Sequence, residues 1–89
     1  MTKAVDVRIT GSVQGVSFRA YTQARARDLG VTGWVRNEPD GAVAGHFEGP
    51  DRAVDALVDW CRHGPAYAEV EGVTVTATDP TGASSFVVG

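Results

Sequence analysis

The residues best suited to chemistry lie in one short stretch, from position 11 to position 19. Gly11 and Gly15 stand four positions apart, and Arg19 follows four positions later. Glycine adopts positive φ angles that other residues rarely adopt, and it leaves backbone amides open to a ligand. A guanidinium stays charged, and its planar fork matches two oxygens of a phosphate. These residues predict either a small phosphate-binding site or an ordinary turn with a solvated arginine.

Two common phosphate-binding motifs are absent from this stretch. A Walker loop would continue into Gly-Lys-Ser or Gly-Lys-Thr, and a dinucleotide-binding loop would read Gly-x-Gly-x-x-Gly. The stretch contains neither and runs directly into a predicted helix. Because the free N–H groups and the dipole at a helix N-terminus favour an anion, the pattern fits a cradle for one phosphoryl group.

A strand and a helix must flank the stretch if it is to form such a site. The strand is predicted by apolar residues that alternate with polar ones, namely Val5, Val7 and Ile9. The helix is predicted by a buried face at helical spacing, namely Phe18, Tyr21, Ala24 or Arg25, and Leu29. Gly30 is typical of a left-handed C-terminal cap, so we expect the helix to end there.

A hairpin and a second helix are predicted next. Strands are expected near residues 31–36 and 43–48, and the turn residues at 37–41, with Asp40 followed by Gly41, favour a hairpin between them. The second helix is expected to open at Pro50 or Asp51 and to end at Gly64. Its buried stripe is predicted to be Val54, Leu57, Val58 and Cys61.

Two further strands complete the expected order. Alternating residues from Val73 to Thr78 predict a fourth strand, and residues 86–88 predict a short final one. The order βαββαβ with an extra short strand is typical of a ferredoxin-like α/β sandwich of the α+β class. That fold has a mainly antiparallel sheet with two helices on one face. We expect residues 1–89 to form a single such domain, a fold that carries many different functions.

Composition and charge limit the setting and the partners. The 89 residues are 43% hydrophobic and carry a net charge of −3, and the basic residues form no cluster. We therefore expect no nucleic-acid partner, because backbone phosphates must be met by several basic groups on one face. The N-terminus lacks a signal peptide, and no apolar run is long enough to span a membrane. With a single cysteine, Cys61, no internal disulfide is expected, and a cytoplasmic location is predicted.

Two segments resemble the acylphosphatase family. Residues 11–19, with the sequence GSVQGVSFR, are similar to the first signature of that family. Residues 33–43, with the sequence GWVRNEPDGAV, and Gly49 six positions later are similar to the second. The two segments occur in the family's order, and the chain has the length of a whole family member. The resemblance therefore covers essentially the full chain.

The resemblance implies a function and a set of residues. It implies hydrolysis of the carboxyl-phosphate bond of small acyl phosphates to a carboxylate and inorganic phosphate, by a monomer without metal or cofactor. It implies that Arg19 clamps the phosphoryl group and that Asn37 orients the attacking water. It also implies that the phosphoryl group is held by the backbone amides of Gln14, Gly15, Val16, Ser17, Phe18 and Arg19.

Other functions remain in competition at this point. A non-catalytic ferredoxin-like module could keep the same loop and bind an anion or a partner without turnover. A single-stranded RNA binder of similar topology is disfavoured by the acidic balance and by the lack of a basic, aromatic-rich sheet motif. A metal carrier of this fold would need a Cys-x-x-Cys motif, which is absent. His46 and His63 are predicted to be surface or structural residues, and Cys61 a core residue.

Overall fold

The predicted order of elements is confirmed in a computed structural model of the protein, which describes residues 2–89. It has seven elements: β1 (Thr2–Ser12), α1 (Phe18–Leu29), β2 (Thr32–Asn37), β3 (Val43–Pro50), α2 (Asp51–His63), β4 (Glu69–Thr78) and β5 (Phe86–Val88). Across these described residues the strands form one sheet in the order β4-β1-β3-β2-β5. The β5 strand pairs in parallel with β2, and all other pairs are antiparallel. This is the expected ferredoxin-like arrangement, extended by β5.

The position of β3 determines how the ends of the sheet are arranged. Both β1 and β2 pair with β3 in antiparallel fashion, so β1 and β2 run in the same direction. One row of the sheet contains Ile9, Val43 and Asn37, with Val43 in the middle. The carboxyl ends of β1 and β2 therefore meet at the same edge of the sheet, separated by about two strand spacings, or roughly 10 Å.

The core lies between one face of the sheet and the two helices. Its largest fully buried side chains include Phe18, Phe47, Ile9 and Leu57. The ring of Phe47 lies 5.9 Å from that of Phe86, which joins β5 to the core, and the ring of Phe18 lies 5.6 Å from that of Trp60. These contacts join β5 to β3 and α1 to α2.

The predicted buried face of α1 is partly wrong. Phe18 is buried, but Tyr21 is 55% exposed, Ala24 and Arg25 are exposed, and Leu29 is only partly buried. The buried residues after Phe18 are Thr22 and Ala26, at steps of four residues. Thr22 can enter the core because its hydroxyl donates to the Phe18 carbonyl oxygen at 2.8 Å, which satisfies the polar group inside the helix. The buried side of α1 therefore consists of one large residue, Phe18, and two small ones, Thr22 and Ala26.

Helix α2 follows the prediction more closely. Its buried residues are the four of the predicted stripe, and it begins at Asp51 with Pro50 as the preceding cap. Burial raises the pKa of the Cys61 thiol to about 12, so the nucleophilic thiolate is scarce and this cysteine is a core residue. Among residues 2–89, no helix is long and apolar enough to cross a membrane.

The sheet face opposite the helices carries a buried polar cluster that the sequence did not predict. His46 and Glu48 on β3 are each only 4% exposed. His46 Nε2 lies 2.5 Å from Glu48 Oε2, and His46 Nδ1 lies 2.8 Å from Asp6 Oδ1. Glu48 also accepts hydrogen bonds from the amides of Thr81 and Ala83, both at 2.8 Å. Glu48 thereby fastens the connection between β4 and β5 to the sheet.

The hydrogen bonds in this cluster decide how its members titrate. Burial alone would raise the pKa of Glu48, but the bonds from Thr81, His46 and Ala83 outweigh it and lower the pKa to about 2. Burial would lower the pKa of His46, but its bonds to Glu48 and Asp6 outweigh burial and raise the pKa above 6.5. The cluster is therefore most stable with Glu48 ionised and His46 protonated.

We predict that Glu48→Gln destabilises the protein most between about pH 4.5 and pH 6.5. The contribution of Glu48 is complete above its ordinary pKa of 4.5 and is lost as the pH falls toward 2. The contribution of protonated His46 is complete below 6.5 and is lost as the pH rises through its raised pKa. We expect a loss of about 2 kcal/mol in that window, measured by urea unfolding.

The matched control is Glu71→Gln, because Glu71 is exposed on β4. Its effect on the free energy of unfolding should be small at every pH. If Glu48→Gln cost the same at pH 2.5 as at pH 5.5, the ionised carboxylate would not be the stabilising group.

Candidate functional site

The connection between β1 and α1 is held at both ends by buried side chains. Val13 and Phe18 are each 1% exposed, and Val16 packs partly against the same core. Between them, Gly15 has a φ of 76° and Ser17 a φ of 61°, both left-handed. Left-handed residues in a loop turn neighbouring N–H groups toward one side, an arrangement that binds anions in other proteins. A positive φ is one that the glycine at position 15 allows, whereas the positive φ of Ser17 was not foreseen.

The amide groups of this connection have no acceptor of their own. Across residues 2–89, the N–H groups of residues 14–19 donate to no backbone carbonyl outside the regular elements and to no side chain. Ser17 precedes α1 without a side-chain cap, and the first turn of α1 contains no acidic residue. The positive end of the helix dipole is therefore uncompensated at the same place. An anion is the ligand that this arrangement can stabilise.

Arg19 lies in the first turn of α1, and its side chain contacts the residue that follows β5. Its Nη1 donates to the Gly89 carbonyl oxygen at 2.5 Å. The Gly89 amide in turn donates to the Val35 carbonyl oxygen on β2 at 2.8 Å. A guanidinium has five N–H donors, so this contact orients the side chain and leaves other donors for a ligand.

Asn37 is the last residue of β2 and lies at the same edge of the sheet. It pairs with Val43, is exposed, and stands two residues after Val35 on the same face of the strand. One two-residue step along a strand is about 6.6 Å. Val35 is tied to Gly89 and Gly89 to Arg19, so Arg19 is linked to β2 two residues before Asn37. The two side chains nevertheless come from elements that are far apart in the sequence.

The other charged residues near this edge are paired among themselves. Arg36 faces the opposite side of β2 from Asn37, where its guanidinium lies 4.6 Å from the Trp34 ring and 3.3 Å from a Glu38 carboxylate oxygen. Arg8 pairs with Asp40. The pKa of Asp40 is lowered below its ordinary value, chiefly by the hydrogen bond from the Ala42 amide and next by the hydrogen bond from Arg8. Among these arginines, Arg19 is the one that directly follows the loop, in the first turn of α1.

No metal centre emerges from the side chains. Within the part of the chain that the structure describes, no three His, Cys, Asp or Glu side chains lie close enough together to hold a metal ion. His46 and Glu48 lie on β3, on the face opposite the helices. The groups that could act on a ligand at the loop are backbone amides, one guanidinium and one carboxamide.

One contact at this edge was missed by the sequence analysis. Gln14 was predicted to act through its backbone amide only, but its side-chain Nε2 donates to the carbonyl oxygens of Glu38 and Ala42 at 2.8 and 2.9 Å. These residues flank the turn between β2 and β3. A carboxamide in a loop of small and apolar residues was the available signal, but its partners are more than twenty positions away.

The fold and this geometry together define a class of protein. It is a ferredoxin-like α+β domain in which unpaired loop amides and a guanidinium lie at one edge of the sheet. The sequence profile of the acylphosphatase family matches residues 5–88. An acylphosphatase from a Nocardioides species is 57% identical over 88 residues, which cover 99% of this chain and 89% of that protein.

Solved structures lead to the same family. The structure of an acylphosphatase from Coxiella burnetii matches with a TM-score of 0.95 and 32% identity, covering 99% of this chain and 93% of that one. The structure of the acylphosphatase from Bacillus subtilis also matches at 0.95, with 31% identity and coverage of 100% and 99%. The chain therefore belongs to the acylphosphatase family and is an enzyme that hydrolyses acyl phosphates.

We predict that Gly15→Ala lowers the free energy of unfolding by about 1 kcal/mol. A Cβ at Gly15 would meet no atom within 4 Å, so the cost comes from the left-handed backbone and not from a clash. Gly82→Ala is a matched control, because Gly82 has a φ of 78° and equally open surroundings in the connection between β4 and β5. Urea unfolding should give similar losses for both variants. Unchanged stability in Gly15→Ala alone would contradict the left-handed conformation of the loop.

Proposed function

We propose that the chain hydrolyses small acyl phosphates without a metal ion, with the phosphoryl group held by the loop amides and Arg19. In this proposal the amides are those of residues 14–19, the Arg19 guanidinium neutralises the phosphoryl oxygens, and Asn37 orients the attacking water. One observation carries the proposal. The unpaired amides lead directly into the first turn of α1, where Arg19 is tied through Gly89 to the strand that ends in Asn37.

The chemistry of the reaction explains why these groups are sufficient. Phosphoryl transfer depends mainly on positioning and on neutralising charge, and covalent help from the protein is not required. N–H donors fixed before the substrate arrives need no reorganisation as charge develops on the phosphoryl oxygens. Backbone amides and a guanidinium are such donors. Because Arg19 is already oriented by Gly89, its side chain loses little freedom on binding the phosphoryl group.

The leaving group removes the need for an acid. The water oxygen forms a bond to phosphorus, and the bond from phosphorus to the acyl oxygen breaks with its electron pair on that oxygen. The product is a carboxylate, whose conjugate acid has a pKa of about 4, so it leaves unprotonated near pH 7. One proton of the water passes to a phosphate oxygen or to solvent. Neither step requires a histidine or a pair of carboxylates.

Asn37 is suited to placing water and not to removing its proton. Its carboxamide has one oxygen that accepts and one NH₂ group that donates, so it can hold a water in a chosen orientation. It has no basic group at neutral pH. Water held by Asn37 would therefore attack as neutral water, and the increase in reaction rate would come from the orientation of the water.

The proposal extends to the state of the protein. We propose that it acts as a monomer in the cytoplasm, without a nucleic-acid partner. All proposed site residues come from one chain and three neighbouring elements, so a second copy is not needed to complete the site. A single buried thiol, Cys61, is compatible with a reducing compartment.

The first experiment is hydrolysis of benzoyl phosphate in the presence of EDTA, with Arg19→Ala measured beside the wild type. We expect turnover to survive EDTA and kcat/KM to fall by about 100-fold or more in the variant, because a fixed donor to the phosphoryl oxygens is lost. Arg25→Ala is the matched control, since Arg25 is an exposed arginine on the same helix. Loss of turnover with EDTA would overturn metal independence, and equal rates in both variants would overturn the role of Arg19.

The proposed role of Asn37 makes a different prediction. Asn37→Ala should lower kcat by about 100-fold, because orientation of the water is lost. The inhibition constant of inorganic phosphate should stay nearly constant, because the amides and Arg19 still hold the anion. Glu38→Gln is the control, since Glu38 directly follows Asn37 and its side chain pairs with Arg36 of β2. Weaker phosphate inhibition in Asn37→Ala would instead assign this residue to binding.

A further inference from the structure

The side chain of Gln14 connects two parts of the candidate site that the backbone leaves separate. Gln14 belongs to the connection after β1, whereas Asn37 ends β2, and β3 lies between these two strands. Its Nε2 donates to the Glu38 carbonyl oxygen at 2.8 Å and to the Ala42 carbonyl oxygen at 2.9 Å. A carboxamide NH₂ has two N–H groups, so the two bonds use its whole donor capacity.

The two acceptors are the carbonyls that close the turn after Asn37. The Glu38 amide donates to the Ala42 carbonyl oxygen at 2.8 Å, and the Gly41 amide donates to the Glu38 carbonyl oxygen at 3.1 Å. The Glu38 amide belongs to the peptide bond that follows Asn37. Gln14 is thus linked to the backbone at Asn37 through a single shared acceptor, the Ala42 carbonyl.

No other side chain of the loop makes such a bridge among residues 2–89. Val16 and Phe18 are apolar, Ser17 makes no cap bond, and Arg19 reaches Gly89 instead. On the other side of the turn, Asp40 accepts from the Ala42 amide and pairs with Arg8. The turn is therefore held on one side by Arg8 of β1, which pairs with Asp40. On the other side it is held by the loop after β1, and among residues 2–89 Gln14 is the loop side chain that makes this connection.

We infer that Gln14 is a positioning residue whose side chain sets the distance between the phosphate-holding loop and Asn37. This inference rests on the proposed function. The loop holds the phosphorus atom, and Asn37 holds the water that attacks it, so their spacing determines the length and direction of the attack. A displacement of about 1 Å at such a distance can reduce the rate about 100-fold. The Gln14 side chain should therefore affect the attack and not the affinity for phosphate.

The inference predicts a specific result in a double-mutant cycle with Gln14→Met and Asn37→Ala. Methionine keeps the length of the side chain and removes both donors. Glu38 and Ala42 each keep the other hydrogen bond at their carbonyls, so the turn retains its own closure. We expect Gln14→Met to lower kcat for benzoyl phosphate by about 10-fold to 100-fold. In the Asn37→Ala background the same change should lower kcat by no more than about twofold.

Two further measurements separate positioning from a structural role. The inhibition constant of inorganic phosphate should change by no more than about twofold in Gln14→Met. Gln14→Leu, which also lacks the donors and carries no charge, should reproduce the loss in kcat. If Gln14→Met does not fold, Gln14→Leu replaces it in the cycle, with urea unfolding as the check on both.

Gln23→Met is the matched control for losing a bond from a glutamine to a backbone carbonyl. Gln23 Nε2 donates to the Phe86 carbonyl oxygen at 3.0 Å, and Phe86 pairs with Gly33 near the start of β2, whereas the turn follows the end of β2. Any effect of Gln23→Met on kcat should be the same with and without Asn37. That behaviour is what a general loss of stability would produce.

The outcomes distinguish failure of the inference from failure of the proposed function. If Asn37→Ala lowers kcat but Gln14→Met lowers it by the same factor in both backgrounds, the positioning role of Gln14 is wrong. If Gln14→Met weakens phosphate inhibition, Gln14 acts on the loop itself, which also overturns the inference. If Asn37→Ala leaves kcat unchanged, the proposed role of Asn37 is wrong, and the inference falls with it.

Discussion

The arrangement of the site depends on one constraint, which is that β3 separates β1 from β2 and pairs antiparallel with both. Two strands that flank a common antiparallel neighbour must run in the same direction. The loop after β1 and the last residue of β2, Asn37, are therefore delivered to the same edge. Helix α1 starts at that edge because it follows the loop directly, so its N-terminus and Arg19 arrive there as well. Each remaining contact adjusts distances within an arrangement that the strand order has already imposed.

The fold was predictable because its signals are local and repeated. Alternation along β1 and the four-residue stripe of α2 each report burial directly, and the structure confirms both. The residues that indicated α1 are not those of its buried side, because hydrophobicity alone did not identify which side of the helix faces the core. Thr22 satisfies its hydroxyl within the helix and is buried, whereas Tyr21 is exposed. A residue's type indicates its cost of burial but not the space available to it.

The residues proposed for the site were also suggested by sequence, but the links between them were not. Loop glycines and an arginine near a helix N-terminus are adjacent in the chain, so their shared chemistry is visible in one segment. The acceptors of the Gln14 side chain, and the amides that donate to Glu48, are separated from these residues by more than twenty positions. Nothing local marks such a pair, because a hydrogen bond between distant segments depends on strand order and register. Glu48 illustrates this, since its sequence position predicts only a strand residue.

The buried carboxylate of Glu48 and the guanidinium of Arg19 lie on different sides of the sheet. Among residues 2–89, the buried carboxylate of the sheet is that of Glu48. It lies on the face opposite the helices and accepts two amide hydrogen bonds from the connection that leads to β5. These bonds hold β5 in place, and Gly89, which follows β5, orients Arg19. Among the side chains of residues 2–89, no carboxylate pairs with Arg19. A carboxylate side chain there would repel the anionic substrate and compete for the guanidinium. The sheet therefore uses its buried carboxylate on one face, and Arg19 is oriented on the other face without a carboxylate side chain beside it.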